Sequence, residues 1–410
     1  MKSQARLRLA FQSLIALTLV ALIASQTASQ NQEITQAAPD QTDLLIVHEW
    51  GTFTSIAGKD GAGVEWRALG GASDLPSFVY AASENSPDRG LRHGRCLKCN
   101  LEARVRMETP VLYFYADRET DVSVKVEFPK GKITEWYPQA RNVHGGIDWG
   151  RIKVMPGADV SLPVESANSH YYPARETEAA PVRVCGHEKW QVTRQHEKFL
   201  FYRGVGAFDL PLAAMIRGDR VVMKNTGDNL IPQFVLFENQ YGRIGYRVHD
   251  AFGGEIALER PRLDSTIVAL ESELEMILVG SGLYEKEAKA MIKTWRDSWF
   301  EEGLRVFYIL PRQTTDTILP IEIEPRPAGL TRVMVGRLEV ITPETEATLR
   351  QQIARLPGTR SGIETTARAI IAKHGRFSEP ILKGLLKSEK DRAIRTRIEK
   401  IMRSLAAEAG

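Results

Sequence analysis

The sequence predicts a mainly β, sandwich-like protein with a second β unit, one inserted amphipathic helix and a small α-helical C-terminal appendage. Three observations predict it. Between Leu44 and about Val279, short runs rich in β-branched and aromatic residues are separated by Gly, Pro, Asn and Asp, which is the rhythm of a sandwich or barrel. One segment, "SGLYEKEAKAMIKTWRDSWFEEG", breaks that rhythm with a helical period. From Pro343 onward the chain turns helical and basic, with 14 Lys and Arg against 8 Asp and Glu.

The elements follow in order. Residues 1–30 read as an export signal: Lys2, Arg6 and Arg8 precede an apolar run from Leu14 to Ala24, and small residues follow. That run falls short of the about 20 apolar residues a membrane span needs, so the expectation is a mature chain without a transmembrane anchor, periplasmic or extracellular. The polar, aperiodic residues 31–43 read as a disordered leader. The body, 44–341, begins at "IVHEWGTFTS" and continues through "VLYFYA", "VSVKVEF", "KITEWYP", "KFLFYRGV", "RVVMKN" and "QFVLFEN". Within it, "VKVEFPKGKITEW" has the alternation and turn of a hairpin. The stretches 57–104 and 139–197 read as loops of the length that serves binding or lids. A helix over 283–302 places Ala288, Met291, Ile292, Trp295 and Trp299 on one face, packed against the sheet. Strands return in "LRVFYILP", "TILPIEIEP" and "RVMVGRLEVI". Residues 342–410 then read as short helices with a HEAT-like look, opening at a Thr342 cap with Pro343 in the first turn.

Composition excludes some partners. With 54 Lys and Arg against 51 Asp and Glu, nothing global favours nucleic acid. There is no GxSxG, P-loop, dinucleotide fingerprint or EF-hand loop.

Chemistry is sought first at His48 and Glu49. In a strand, adjacent side chains face opposite ways, so the two are not a dyad unless the strand is broken near Gly51. Glu49, between Val47 and Phe53, is either a buried partner of an arginine or a general acid. Glu108 and Glu135 also sit beside aromatics, and paired carboxylates are what glycosidases use. His170 is a loop histidine able to assist, completing a catalytic set of Glu49, Glu108, Glu135 and His170. Five of the seven tryptophans lie between Trp50 and Trp190. Flat rings suit sugar stacking, so Trp50, Trp136, Tyr137, His144, Tyr171 and Tyr172 form the candidate binding set, with sandwich core as the other reading of the aromatics. Cys96, Cys99, Cys185 and His187 make up a complete Cys3His set for zinc. A disulfide from Cys185 to Cys96 or Cys99 is the reading that an oxidising compartment favours.

The strings "HEWGTFTS", "DLPSFVY", "RMETPVLYFY", "ITEWYP", "EKFLFYRGVG", "TWRDSWFEEGLRVFYILP" and "RVMVGRLEVITP" resemble those of a group of exported bacterial proteins with no established activity. The resemblance spans about Val47 to Pro343 and implies no site residues. Because no catalytic motif is present, the expected function is binding of an envelope or extracellular component, a polysaccharide among the candidates, with hydrolysis of an extracellular polymer as the alternative.

Overall fold

The computed structural model describes residues 44–68, 75–82, 102–165, 169–188, 191–355, 361–362, 365–366, 369–370 and 378–408. The signal and leader calls, and those on Cys96 and Cys99, lie outside these residues.

A nine-stranded sheet forms the centre. Its strands, in chain order, are β1 (Ile46–Ala57), β2 (Tyr80–Ala81), β3 (Val105–Tyr115), β4 (Gly131–Tyr137), β5 (Leu200–Gly206), β6 (Phe234–Gln240), β7 (Arg243–His249), β8 (Gly303–Ile309) and β9 (Gly329–Val340). Across the sheet they run β7-β6-β8-β9-β1-β3-β5-β4-β2. Only β1 and β9 pair in parallel; the other neighbours are antiparallel. β1 is the hinge of the arrangement, flanked by β9 and β3 and buried at 11 of its 12 positions, as expected of a central strand covered on both faces.

One face carries two smaller sheets. Five strands (Gln191–Glu197, Val182–Glu188, Gly146–Val154, Thr120–Glu127, Ile321–Glu324) and three strands (Leu212–Arg217, Arg220–Asn225, Glu255–Glu259) close over Val47, Phe53, Leu112, Phe114, Val306 and Leu338. The chain is thus mainly β and sandwich-like. The other face is covered by two helices, α1 (Ile267–Gly280) and α2 (Glu285–Trp299). The predicted apolar face of α2 is buried there, with Met291, Trp295 and Trp299 on Trp50, Val235 and Phe307. A short helix α3 (Arg312–Ile318) follows.

Helices α4 (Pro343–Ala354), α5 (Ser378–Ser388) and α6 (Arg392–Glu408) make up the appendage. Thr342 caps α4 through the Thr345 amide. Leu349, Leu382 and Ile398 pack with Ile56, Trp66 and Val205 at the end of the main sheet.

Two expectations are revised, and one helix was not foreseen. The supposed hairpin "VKVEFPKGKITEW" is a corner between layers: Thr120–Glu127 belongs to the five-stranded sheet and β4 to the main one. Phe128 is buried in the turn, and a Cβ at Gly131 would stand 2.2 Å from its ring, so the chain can turn there only with glycine. The stretch 139–197 is loop only in part: it holds the strands Gly146–Val154, Val182–Glu188 and Gln191–Glu197, with a long connection between the first two. α1 was concealed because "IVALESELEMILVG" is apolar nearly all round, leaving a weak helical period.

Candidate functional site

Strand parity decides the first pair. Val47, Glu49 and Phe53 point into the two-sheet layer, whereas His48 and Trp50 point to the helices. Arg332, the register partner of Glu49 on β9, places Nε 2.5 Å from Glu49 Oε2. Tyr202 of β5 donates its hydroxyl to Glu49 Oε1 at 2.5 Å. Arg332 Nη1 further donates to Asp316 at 2.8 Å and to the Leu319 carbonyl at 2.7 Å. Burial, the largest single influence, would lower the guanidinium's pKa, but the Glu49 charge, the Tyr202 phenol and the hydrogen bonds to Glu49 and Asp316 together outweigh it and raise it. Burial, and after it the Glu49 carboxylate, keeps the Tyr202 phenol neutral. Glu49 is thus an acceptor in a closed ion-pair network.

His48 meets a different carboxylate. Its Nδ1 lies 2.8 Å from Glu287 Oε2, and Tyr115 donates to Glu287 Oε1 at 2.8 Å. Glu287 is also the third residue of α2 and accepts from the Tyr284 amide, completing a capping box. One buried carboxylate thereby fixes the start of α2 to β1 and β3. Neither Glu287 nor His48 lines a described cavity.

The densest polar chemistry lies elsewhere. On the helix-facing side of the main sheet, a charged belt runs across the strands between the α1–α2 core and the appendage core. β8 supplies Arg305, β9 Arg337 and Glu339, β1 Thr52 and Thr54, β3 Arg106 and Glu108, β5 Arg203, and β4 Glu135. Each is at most 9 % exposed. On β1 and β5 the apolar side chains stop and resume around it: Trp50 then Ile56 on β1, Phe201 then Val205 on β5. Arg305 and Arg337 both donate Nε to Glu339 Oε1 at 2.7 Å, and Arg337 Nη2 reaches Glu301 at 2.7 Å. Arg106 Nε lies 3.3 Å from Glu108 Oε1, and Arg203 stands opposite Glu135. Burial alone would push the Glu339 carboxyl up; the two guanidinium groups reverse that and hold it below its ordinary value. Each buried guanidinium group of Arg305, Arg337 and Arg106 has a carboxylate beside it, which is how a protein tolerates so many buried ions.

At its β8–β9 end the belt reaches a groove of about 300 Å³ between the main sheet and α4. Glu301, Glu302, Glu339 and Glu344 line it with Arg260, Thr345 and the amides of Asn239 and Gln240. Tyr241 stands at its rim, 80 % exposed. This residue and Gly242 form the two-residue turn of the β6–β7 hairpin, at φ 54° and 81°. Positive φ is costly for a residue with a bulky side chain. The turn nevertheless presents an aromatic ring where Asn or Gly would fit at less cost.

The remaining predicted residues have local partners. Glu108 and Glu135 share the belt face; Glu49 is on the other face, so the three do not converge. His170 Nδ1 lies 2.7 Å from the Thr294 carbonyl, a contact in which the ring must donate, and its Nε2 is 3.3 Å from Asp297. Its ring stacks on Trp295, clamping this segment to α2. Trp50 and Tyr137 are core, and Trp136 is half-buried, stacked on Tyr80. Tyr171 donates to Glu197 at 2.9 Å, while half-buried Tyr172 accepts from the Glu165 amide at 2.8 Å. Both rings lie under the Arg175 guanidinium, itself forked onto Glu197, so an internal cation occupies that aromatic face. His144 is exposed in a turn. Cys185 is exposed with a free thiol, and the His187 side chain lies outside what is described. Among the described residues no group of three His, Cys, Asp or Glu is placed to hold a metal, and no helix is long and apolar enough to cross a membrane.

The belt arginines and Tyr241 were missed by sequence reasoning. A signal existed: a charge at every second position of an otherwise apolar strand, as in Arg106-Met107-Glu108 and Arg337-Leu338-Glu339. Neither a family model nor a curated protein sequence matches this chain.

Proposed function

We propose that this is an exported, non-catalytic binding protein that holds a segment of an envelope or extracellular polysaccharide in the groove between the β6–β7 hairpin and α4. One observation carries the reading: Tyr241, 80 % exposed, is held at positive φ on the rim of a 300 Å³ groove whose lining mixes carboxylates, amides, hydroxyls and Arg260 with apolar Leu304, Val340, Ile341 and Ile381. An aromatic face for a sugar ring beside polar groups for its hydroxyls is the usual make-up of a saccharide site. Export rests on the charged and apolar pattern of residues 1–30. Hydrolysis is the weaker reading, because Glu49 is engaged by Arg332 and Tyr202 on the face opposite Glu108 and Glu135.

The test is a polysaccharide panel read by calorimetry with wild type and Tyr241→Ala. Wild type should bind at least one polymer, and the variant should bind it about tenfold or more weakly, the loss of one stacking contact of roughly 1–1.5 kcal/mol. No binding across the panel, or equal binding by the variant, overturns the groove. Release of reducing ends from a bound polymer overturns the non-catalytic part.

A further inference from the structure

We propose that the outer edge of the three-stranded sheet, Glu255–Glu259, docks an extended peptide segment of a partner protein, one with lysine or arginine at positions i and i+4 and a long apolar side chain midway between them.

The register leaves that edge open. The Asn225 amide donates to the Gly254 carbonyl, and Arg220–Lys224 then pairs with Glu259–Glu255 in one unbroken antiparallel register. In such a pair alternate residues bond across the ladder, so Ile256 and Leu258 face the inner strand. The N–H and C=O groups of Glu255, Ala257 and Glu259 point the other way, where no strand follows among the described residues. All three residues are exposed, and neither a proline nor a bulge interrupts them. Two other edges are closed: the Ser265 amide bonds to Ile244 on β7, and the turn at Gly61 stands against the Ala214 carbonyl of Leu212–Arg217. An unpaired edge is a template for another extended chain, and strand addition is a recurring mode of peptide recognition.

The outer-face side chains choose the partner. The register sets them in three rows: Ala213, Lys224 and Glu255; Met215, Val222 and Ala257; Arg217, Arg220 and Glu259. A fourth strand would place its own residues directly beside Glu255 and Glu259, whose side chains are 53 % and 66 % exposed. Their ion pairs with Arg217 at 3.9 Å and Arg247 at 3.6 Å are long and solvated, hence weak. Opposite charges directly across a strand pair favour pairing, so the fourth strand presents cations there. A second copy fits worse, because antiparallel self-pairing about Ala257 sets glutamate against glutamate at both ends. In the middle row Ala257 is small. A long apolar side chain opposite it can lean over the alanine toward Val222 and Met215, in a groove of about 580 Å³ that Lys224 and Glu255 also line. On the inner face, half-buried Ile256 and Leu258, with exposed Leu230 over Gly253, offer apolar contact to the two intervening residues. The edge does not depend on the saccharide reading.

The experiment is fluorescence polarisation of the full chain without its signal, titrated against a labelled peptide with the core Lys-Val-Leu-Val-Lys. Wild type should bind it saturably. N-methylation of the leucine amide, which faces the edge, should weaken binding about tenfold or more, whereas N-methylation of a valine amide, which faces away, should not. Ala257→Pro removes an N–H that points outward, a change an edge strand tolerates, and should weaken binding as the methylated leucine does. Glu255→Lys combined with Glu259→Lys should reject this peptide and accept one with the core Glu-Val-Leu-Val-Glu. If Ala257→Pro does not fold, the two methylated peptides on wild type make the same comparison. No saturable binding up to millimolar peptide, equal binding of the two methylated peptides, or preference of wild type for the glutamate core overturns the proposal. So does a wild-type dimer, read by sedimentation, that Ala257→Pro dissociates, because a second copy then holds the edge.

Discussion

Replacing Glu49 with glutamine tests whether that carboxylate is structural. Glu49→Gln keeps the volume and an oxygen for Tyr202, but it removes the charge facing Arg332, whose side chain is fully buried. At 2.5 Å and an effective dielectric of about 20, Coulomb's law sets a ceiling of roughly 6–7 kcal/mol on the lost attraction. Asp316 remains 2.8 Å from Nη1 but is 44 % exposed and also serves Arg312, so it compensates little. The expected cost is therefore about 3–5 kcal/mol, as for other broken buried pairs. Urea unfolding, with unchanged m, would measure it. Arg332→Met added to Glu49→Gln removes the stranded cation and should recover at least about 2 kcal/mol, since a buried pair replaced by apolar groups is often nearly neutral. A loss below about 1 kcal/mol, or additive single effects in the double variant, would refute the argument and return Glu49 to the catalytic candidates.

Two further expectations concern the other buried carboxylates. Glu287→Ala strips His48, Tyr115 and the Tyr284 amide of a shared acceptor and should cost about 2–4 kcal/mol; hydrogen exchange should show the loss concentrated at the start of α2, and a uniform change would count against this role. Glu339 has a carboxyl held below its ordinary value, so the folded state binds that proton less readily than the unfolded chain. Its stabilising contribution is complete above the unfolded value of about 4.3 and declines as pH falls through the folded one. Glu339→Gln should therefore flatten the acid limb of the stability profile, and an unchanged slope below about pH 4.3 would refute the pairing.

Much of the fold was legible, and the exceptions are instructive. The faces of β1 followed from alternation alone, and the Trp295 and Trp299 stripe from the helical period. The corner at Phe128–Gly131 did not, because alternation reports which side a residue faces and not which sheet supplies its neighbour. The belt was half visible. Glu108 and Glu135 stood out as carboxylates beside aromatics, while Arg106, paired with Glu108, and Arg203, across the strand from Glu135, read as ordinary strand polarity. Only cross-strand register aligns seven charged side chains drawn from five separate strands. Notably, most of the strings on which the expected family resemblance rests supply belt residues, from "GTFT" through "RMETP", "ITEWYP", "FYRGVG" and "FEEGLR" to "VGRLEV".

The parallel pairing of β1 with β9 sets the order in which this chain can become a protein. Glu49 and Arg332 are 283 residues apart, and β1 stays an unpaired central strand on one side until nearly the whole body has been made. Because such distant contacts reward the chain only after loop closure has been met, closure of the sheet is expected to come late in folding. Under the export proposed above, that delay would be useful: the first strand could not pair with the last until both had reached the same side of the membrane.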